Sequence, residues 1–173
     1  MSGVTIRRAE PDDVDFLLEL ITGEETRPFL GLPGEVRRED LLDEIERSER
    51  EPQMFGRFVI ESGGERVGSL GFRLVNERNR IAEAGRFAVH PRFRGQGIGD
   101  EAARLFQRHL LVELDMHRVE LQIYGFNERA IAQAERTGYV REGVKRKAYL
   151  KNGEWQDAVL FALLRDDLDG ERR

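Results

Sequence analysis

The chain of 173 residues contains no cysteine. This absence excludes disulfide bonds, thiolate nucleophiles and cysteine–zinc sites, and it is typical of a reducing compartment. Long apolar segments are missing too. The longest wholly apolar run, Ala158 to Leu164, has seven residues, far below the roughly 18 that span a bilayer. Residues 1–10 lack the apolar centre of a signal peptide. We therefore expect a cytoplasmic protein that does not bind membranes.

The chain has fewer basic than acidic residues: 28 Lys and Arg against 33 Asp and Glu, for a net charge of −5. This balance argues against a nucleic-acid partner, because phosphate binding needs a basic face. Charged residues make up 35% of the chain and hydrophobic residues 39%, enough apolar residues for one core. The length is close to one domain of about 150 residues. We expect a single domain over residues 1–173, with a polar tail that frays at 166–173.

Histidine is scarce as well, with three residues in the chain. His90, His109 and His117 have no spacing that would place two metal ligands on one helix face. We therefore expect no metal. His109 falls near the apolar stripe of a predicted helix, where we expect an ordinary hydrogen-bonded boundary residue.

Apolar periodicity predicts the element order βααβββαβαββ. The first predicted helix begins at Val14, and the other three span Glu39–Ser48, Gly97–Leu114 and Glu128–Thr137. The predicted strands are Val4–Arg8, Phe55–Glu61, Arg66–Val75, Ile81–His90, Val119–Ile123, Tyr139–Leu150 and Trp155–Leu164. The Asn152–Gly153 pair between the last two strands is typical of a type I′ hairpin turn.

A glycine-rich segment, Arg94–Gly99, lies between a predicted strand and the predicted central helix. Glycines allow a tight turn and a close backbone approach to a ligand, and the N–H groups of a first helical turn attract a phosphate. The Walker pattern is absent, and a dinucleotide motif would need glycine at Asp100. A glycine-rich turn can also simply pack a helix on a strand. By itself, this segment leaves both interpretations open.

Four separated motifs in this order and spacing resemble the GNAT superfamily of acetyl-CoA-dependent N-acetyltransferases. They are Phe87–Pro91, Arg94–Gly99, Asn127–Ala130 and Arg136–Gly143. The tail motifs Ala148–Leu150 and Asn152–Asp157 look like the RimJ/RimL and SpeG-like branch, whose members acetylate protein N-termini, polyamines and other small amines. The resemblance covers roughly residues 4–165.

The resemblance implies a mixed α/β fold: a central, mostly antiparallel sheet with two splayed strands and helices on both faces. Acetyl-CoA would lie between those strands as cosubstrate. Phe87 and Val89 would pair with the pantetheine amides, and the N–H groups from Gln96 to Asp100 would hold the pyrophosphate. Asn127 would bind the pantetheine arm. The implied cofactor-binding residues are Phe87, Ala88, Val89, Arg94, Gly95, Gln96, Gly97, Ile98, Gly99, Asp100, Asn127 and Ala130.

The resemblance also implies acetyl transfer to an amine. Because cysteine is absent, we expect direct transfer in a ternary complex, with the Val89 N–H as the oxyanion donor. The expected acceptor is the α-amine of a peptide or a small molecule, because such an amine is already partly neutral at pH 7. The alternatives are a polyamine acceptor, a CoA-binding sensor without turnover, and an interaction domain that binds no cofactor. The family also suggests a homodimer.

The sequence departs from the superfamily where proton donors and bases are common. Ala134 stands where many relatives carry a tyrosine that protonates the thiolate. Ala84 stands where many carry a glutamate on the strand before the glycine segment. Glu83 is one residue off, and strand alternation points it to the opposite face. We expect Glu83 to be a poor base unless a bulge re-aims it.

The remaining candidates for proton transfer lie on two segments. Glu120 and Tyr124 share one face of a predicted strand, and Tyr149 and Asp157 lie in the C-terminal hairpin. Tyr149 could simply pack, and Asp157 could simply stabilise the hairpin. Our hypothesis is that Asp157 or Glu120 relays the amine proton through water while Tyr149 positions the acceptor or the thiol. The catalytic candidates are thus Glu120, Tyr149 and Asp157, with the Val89 backbone.

Overall fold

A computed structural model describes residues 3–32 and 34–168 of the chain. The strands are β1 (Val4–Arg8), β2 (Phe55–Ser62), β3 (Glu65–Asn76), β4 (Ile81–Val89), β5 (Arg118–Tyr124), β6 (Val140–Lys151) and β7 (Glu154–Leu164). The helices are α1 (Val14–Thr22), α2 (Arg38–Arg50), α3 (Ile98–Arg108), α4 (Glu128–Arg136) and α5 (Arg165–Leu168). The predicted order βααβββαβαββ is confirmed, and α5 follows it.

The strands form one seven-stranded sheet in the order β1-β2-β3-β4-β5-β7-β6. β4 and β5 run parallel, whereas the pairs β1–β2, β2–β3, β5–β7 and β6–β7 are antiparallel. This mixed, mostly antiparallel sheet confirms the predicted fold class. The chain forms two compact units. Unit 1 comprises the described residues of Met1–Leu74 and Ala84–Phe106, and unit 2 those of Val75–Glu83 and Gln107–Arg173.

Unit 1 buries the apolar faces of α1 and α2 against β2. Val14, Leu17 and Ile21 are at most 3% exposed, because their spacing places them on one side of a helix. Leu41 and Ile45 of α2 belong to the same cluster. Burying a leucine or isoleucine side chain stabilises the fold by about 1.5–3 kcal/mol. The spacing of apolar residues therefore accounts for both helices.

A buried carboxylate begins α1. Asp13 accepts a hydrogen bond from the Glu10 N–H at 2.8 Å and one from the Arg7 guanidinium at 2.7 Å. Burial by itself would raise the pKa of Asp13, but the hydrogen bonds from Arg7 and Glu10 outweigh it and hold the pKa below its usual value. As an anion, Asp13 thus closes the 3₁₀ turn Pro11–Asp13 that leads into α1, and its pair with Arg7 joins this turn to β1.

In unit 2, β6 and β7 form the predicted hairpin. Asn152 and Gly153 have φ values of 50° and 78°, and Lys151 pairs with Glu154, which confirms the type I′ turn. Farther from the turn, Lys145 pairs with Ala158 and Tyr149 with Gln156. The chain thus advances 149 − 145 = 4 residues on β6 against 158 − 156 = 2 on β7. We call the segment Lys145–Tyr149, with its two extra residues, the β6 bulge.

The expected end of the central helix needs correction. The central helix was expected over Gly97–Leu114, but α3 ends at Arg108, and a π-helical turn follows over His109–Glu113. The Leu114 N–H there bonds to the His109 carbonyl, five residues back, at 2.9 Å. His109 is hydrogen-bonded as expected, with its Nδ1 at 2.6 Å from a Glu113 carboxylate oxygen.

The polar tail was expected to fray from residue 166. Arg165–Leu168 form the short helix α5, and a carboxylate oxygen of Asp167 accepts a hydrogen bond from the Leu164 N–H at 2.9 Å. Residues 169–173 lie outside the described residues. Over the described ranges, no helix is long and apolar enough to cross a bilayer.

Candidate active site

Unit 1 contains the junction between β4 and α3 that carries the glycine motif. The Arg94 side chain crosses this junction: its Nε donates to the Val89 carbonyl at 3.2 Å, and its Nη2 donates to the Glu25 carbonyl at 3.3 Å. His90 supports the turn, because its Nδ1 accepts a hydrogen bond from the Arg92 N–H at 3.2 Å. Arg94 thus joins the end of β4 to the loop after α1, in addition to any contact with a ligand.

Two of the three glycines of the motif have backbone conformations that other residues rarely adopt. Gly95 and Gly97 have φ values of 76° and 77°, and a Cβ atom added at either would meet no atom within 4 Å. The first hydrogen bond of α3 runs from the Glu101 N–H to the Gly97 carbonyl at 3.2 Å. The N–H groups of Ile98 and Gly99 precede this ladder and point out of the helix start. The junction therefore presents backbone donors beside open space, as a phosphate site requires.

A close approach between β3 and β4 positions the strand before the motif. A Cβ atom on Gly68 would lie 2.4 Å from the Ala88 carbonyl oxygen and 3.3 Å from the Val89 Cα. The first distance is far shorter than van der Waals contact and involves a backbone atom, so a side chain at position 68 would displace the Ala88 carbonyl. The sequence analysis missed Gly68, because one glycine within a strand pattern does not reveal what it faces.

β4 has an unusual backbone at Arg86, whose φ is 49°. The Arg86 carbonyl accepts a hydrogen bond from Ser69 Oγ at 3.2 Å, and its guanidinium pairs with Glu44 at 3.1 Å. Arg57, which is 5% exposed, pairs with the same carboxylate at 2.7 Å. Burial lowers the pKa of Arg57, and the carboxylate of Glu44 opposes this effect. Glu83, three residues before Arg86, lies in the regular parallel register of β4 with β5.

In unit 2, one face of β5 carries polar side chains. Glu83 of β4 is directly opposite Glu120 in the parallel register, so both side chains point to the same side of the sheet, and Gln122 follows on that side. Gln122 Nε2 donates to a Glu83 carboxylate oxygen at 2.9 Å. We call the side chains of Glu83, Glu120, Gln122 and Tyr124, with Tyr149, the polar face. As expected, Glu83 points away from the side of Ala84, which is buried.

Glu120 is held by an arginine on its own strand. Arg118 Nε donates to Glu120 Oε1 at 2.8 Å, while the Arg118 Nη atoms bond to both carboxylate oxygens of Glu142 on β6. The hydrogen bonds from Arg118 hold the pKa of Glu142 below its usual value. Glu120 therefore lies on the polar face as expected, with one oxygen occupied by an ion pair.

Tyr149 reaches the polar face from the β6 bulge. Its hydroxyl donates to Gln122 Oε1 at 2.6 Å, and its ring packs edge-on against Tyr124 with centroids 5.8 Å apart. Burial, and to a lesser degree the nearby Tyr149, raises the pKa of Tyr124. The structure thus brings together Glu120, Tyr124 and Tyr149. It adds Gln122, which the sequence analysis did not select because an alternating glutamine on a strand is an ordinary pattern.

Asp157 on β7 holds the β6 bulge. Its Oδ1 accepts a hydrogen bond from the Lys147 N–H at 2.8 Å, and Lys147 has a φ of 49°. The Asp157 carbonyl accepts a second bond from the Gly125 N–H at 2.9 Å, just after β5. Asp157 thus has the hairpin-stabilising contacts that the sequence left open as an alternative to catalysis.

Asn127 is the N-cap of α4. Its side chain accepts a hydrogen bond from the Ala130 N–H at 3.2 Å, as expected for an asparagine at this position. The amide nitrogen of the same side chain is a further donor. Ala134, where many relatives carry a tyrosine, is buried in α4. Across the described ranges, no cluster of three His, Cys, Asp or Glu residues could hold a metal ion.

Comparisons with known proteins identify the family. The model of the acetyltransferase (GNAT) domain matches residues 4–140. The protein YdaF of Bacillus subtilis is 30% identical over 98% of this chain and 95% of its own length. The spermidine N(1)-acetyltransferase of Escherichia coli K12 is 26% identical over 98% of this chain and 90% of its own.

A solved structure shares the fold. The ribosomal L7/L12 alpha-N-protein acetyltransferase RimL, in complex with coenzyme A, superimposes with a TM-score of 0.83 at 22% identity, over 95% of this chain and 96% of that one. Together with the domain match and the mixed sheet, this agreement confirms the family that the four motifs indicated. The chain therefore belongs to the GNAT family of acetyltransferases and is an N-acetyltransferase.

Proposed function

We propose that this N-acetyltransferase transfers the acetyl group of acetyl-CoA to the α-amine of a peptide or of a small molecule. The observation that carries the cofactor assignment is the left-handed backbone of Gly95 and Gly97 at the start of α3. It turns the N–H groups of a helix start outward beside open space, and a helix N-terminus favours a negatively charged ligand. The RimL structure holds coenzyme A, which is consistent with this assignment.

In this proposal the N–H groups from Gln96 to Asp100 hold the pyrophosphate. The backbone of Phe87, Ala88 and Val89 pairs with the pantetheine amides, as the family resemblance implies. Arg94 supports this backbone by its hydrogen bond to the Val89 carbonyl. The amide nitrogen of Asn127 donates to the pantetheine arm, and Ala130 packs beside it. These last two roles rest on the resemblance.

The reaction itself is an attack of a neutral amine on the thioester carbonyl. A new C–N bond forms, the C–S bond breaks, and coenzyme A leaves as a thiolate that takes up a proton. The Val89 N–H stabilises the oxyanion of the tetrahedral intermediate. Asp157 or Glu120 accepts the amine proton through water, and Tyr149 positions the acceptor or the thiol. General acid–base catalysis of this kind contributes about 10²–10⁴ in rate.

The preferred acceptor follows from the basicity of amines. An α-amine, with a pKa near 7.7–8.0, is partly neutral at pH 7, whereas a lysine-like amine near 10.4 must lose about three pKa units, or roughly 4–5 kcal/mol. Proton transfer through water to Glu120 or Asp157 is better suited to the α-amine, which has less proton affinity to overcome than the lysine-like amine. The RimL neighbour acts on a protein α-amine. The E. coli relative is named for spermidine, so a polyamine is the rival acceptor.

A cytoplasmic location and a homodimer stay predictions. The charged, cysteine-free composition supports the first. The tip of the β6–β7 hairpin supports the second, because Leu150 and Trp155 are 60% and 61% exposed there.

The test is an initial-rate assay of thiol release from acetyl-CoA with a panel of peptides, amino compounds and polyamines. We expect release with α-amines and intersecting double-reciprocal lines, as a ternary complex requires. Parallel lines would refute direct transfer. A kcat/KM for spermidine far above that of every α-amine would assign the enzyme to polyamines instead. Absence of release with every amine, despite stabilisation by acetyl-CoA in a melting experiment, would favour a sensor.

A further inference from the structure

Three side chains on the polar face form a continuous hydrogen-bonded chain. Gln122 Nε2 donates to Glu83 Oε2 at 2.9 Å, and Gln122 Oε1 accepts from the Tyr149 hydroxyl at 2.6 Å. Lys145 Nζ lies 3.4 Å from the same Gln122 oxygen. Gln122 therefore connects a carboxylate on β4 to a phenol on β6, although Glu83 and Tyr149 are far apart in the sequence.

The carboxylate at one end determines the direction of every proton in the chain. A carboxylate accepts hydrogen bonds and has no proton to donate, so Glu83 draws the amide NH₂ of Gln122 toward itself. The Gln122 oxygen then faces Tyr149. An amide oxygen only accepts, so the single phenolic proton of Tyr149 points at Gln122. The lone pairs of the Tyr149 oxygen are consequently directed away from Gln122.

The β6 bulge explains why Tyr149 is in place to join this chain. Two extra residues separate Lys145 from Tyr149 relative to the partner strand, and the Lys147 N–H is bonded to Asp157 within them. The Tyr149 ring packs against Tyr124, which limits its rotation. The residue is 38% exposed, so Tyr149 lies at the surface, where a ligand can approach it.

We propose that Gln122, oriented by Glu83, is a positioning residue that fixes Tyr149 as a hydrogen-bond acceptor for the N–H groups of the acceptor amine. A phenol oxygen with its own proton directed elsewhere accepts from an ammonium or amine N–H, and so orients the nitrogen that attacks. Gln122 touches Tyr149 and acts through it. This inference rests on the proposed amine acetylation and adds the group that recognises the amine.

Kinetics of Gln122→Met and Tyr149→Phe test the proposal. Each removes one partner of the same hydrogen bond with little change of size. We expect each to raise the acceptor KM by about 3–10-fold, the effect of losing one hydrogen bond, while the KM for acetyl-CoA stays within about twofold. The double variant should have the acceptor KM of Tyr149→Phe, because Gln122 acts only through the Tyr149 hydroxyl. Gln53→Met, in an exposed turn of unit 1, is the control for the substitution and should match the parent.

Two results would overturn the proposal. One is an unchanged acceptor KM in Gln122→Met beside a raised one in Tyr149→Phe, and the other is multiplication of the two effects in the double variant. If Gln122→Met does not fold, Glu83→Gln replaces it, because an amide at position 83 no longer dictates the orientation of Gln122. The same rise of the acceptor KM is then expected, and an unchanged value refutes the proposal. An inactive parent would instead refute the proposed function.

Discussion

Two regions of the molecule use different kinds of atoms for the proposed reaction. From Phe87 to Asp100, in unit 1, the proposed contacts come from backbone N–H and carbonyl groups, made accessible by Gly95 and Gly97. On the polar face, in unit 2, they come from side chains that meet across three strands, such as Tyr149 and Gln122. In this proposal the backbone region binds the cofactor, which all acetyl-CoA reactions share. The side-chain region can vary with the acceptor, since changing a side chain leaves the backbone of the sheet intact.

The largest effect is expected from Gly97→Glu, which should abolish stabilisation by acetyl-CoA. The glutamate would bring a negative side chain and a strained backbone to the open space where the pyrophosphate is proposed to bind. For the parent, acetyl-CoA at 100 times its Kd should add about 2.7 kcal/mol of stability, measured as a rise in Tm.

Gly64→Glu is the matched control for that variant. Gly64 lies in the β2–β3 turn with a φ of 81° and open space around it, so the backbone strain is comparable. It should lower Tm but keep the acetyl-CoA shift. Loss of the shift in both variants, or in neither, would contradict the backbone site.

Next in size are the carboxylates of unit 2. We expect at least one of Glu120→Gln and Asp157→Asn to lower kcat tenfold or more, with folding and acetyl-CoA affinity intact. Asp157→Asn keeps an oxygen that can accept from the Lys147 N–H, so a large loss there would report proton transfer rather than the β6 bulge. If both variants and Tyr149→Phe have kcat/KM within about threefold of the parent, under about 0.7 kcal/mol each, the assignment of side chains is wrong.

A smaller effect, about tenfold in kcat/KM, is expected for Gly68→Ala. The new methyl group would displace the Ala88 carbonyl, which now lies 2.4 Å from its position, and shift the proposed pantetheine-binding backbone. Gly85→Ala in β4 is the control, since its Cβ would meet nothing within 4 Å. We expect the control to stay within twofold. Equal activity of both alanine variants would show that the spacing of β3 and β4 does not position the cofactor.

The smallest effect concerns stability. Glu142→Gln should reduce the free energy of unfolding at pH 7 by less than about 1 kcal/mol, because its ion pair with Arg118 is solvent-exposed. Since the folded-state pKa of Glu142 is lowered, the stabilisation exists above the unfolded-state pKa and disappears as pH falls through the folded value. Urea unfolding should therefore show a larger difference between parent and variant at pH 7 than at pH 3. A loss of several kcal/mol would mean that the Arg118–Glu142 pair contributes more to the fold than an exposed ion pair does.

Much of the fold was predictable from local patterns. The helical spacing of Val14, Leu17 and Ile21 predicted α1 because a helix of this period has only one side to bury. The Asn152–Gly153 pair predicted the turn because few residues adopt two positive φ values in succession. The end of α3 was not predictable from the sequence, because the apolar residues continue at helical spacing into the π turn at His109–Glu113.

The sequence by itself determined the family, the glycine junction and the absence of thiol chemistry, because each depends on residues close together or on composition. Only the tertiary structure decided which side chains meet on the polar face. Tyr149 and Gln122 are 27 residues apart, and their contact requires the register of β5 with β7 and the two extra residues of the β6 bulge. The closeness of Gly68 to Ala88 has the same origin. Strand register depends on the summed interactions of whole strands, which no single motif encodes.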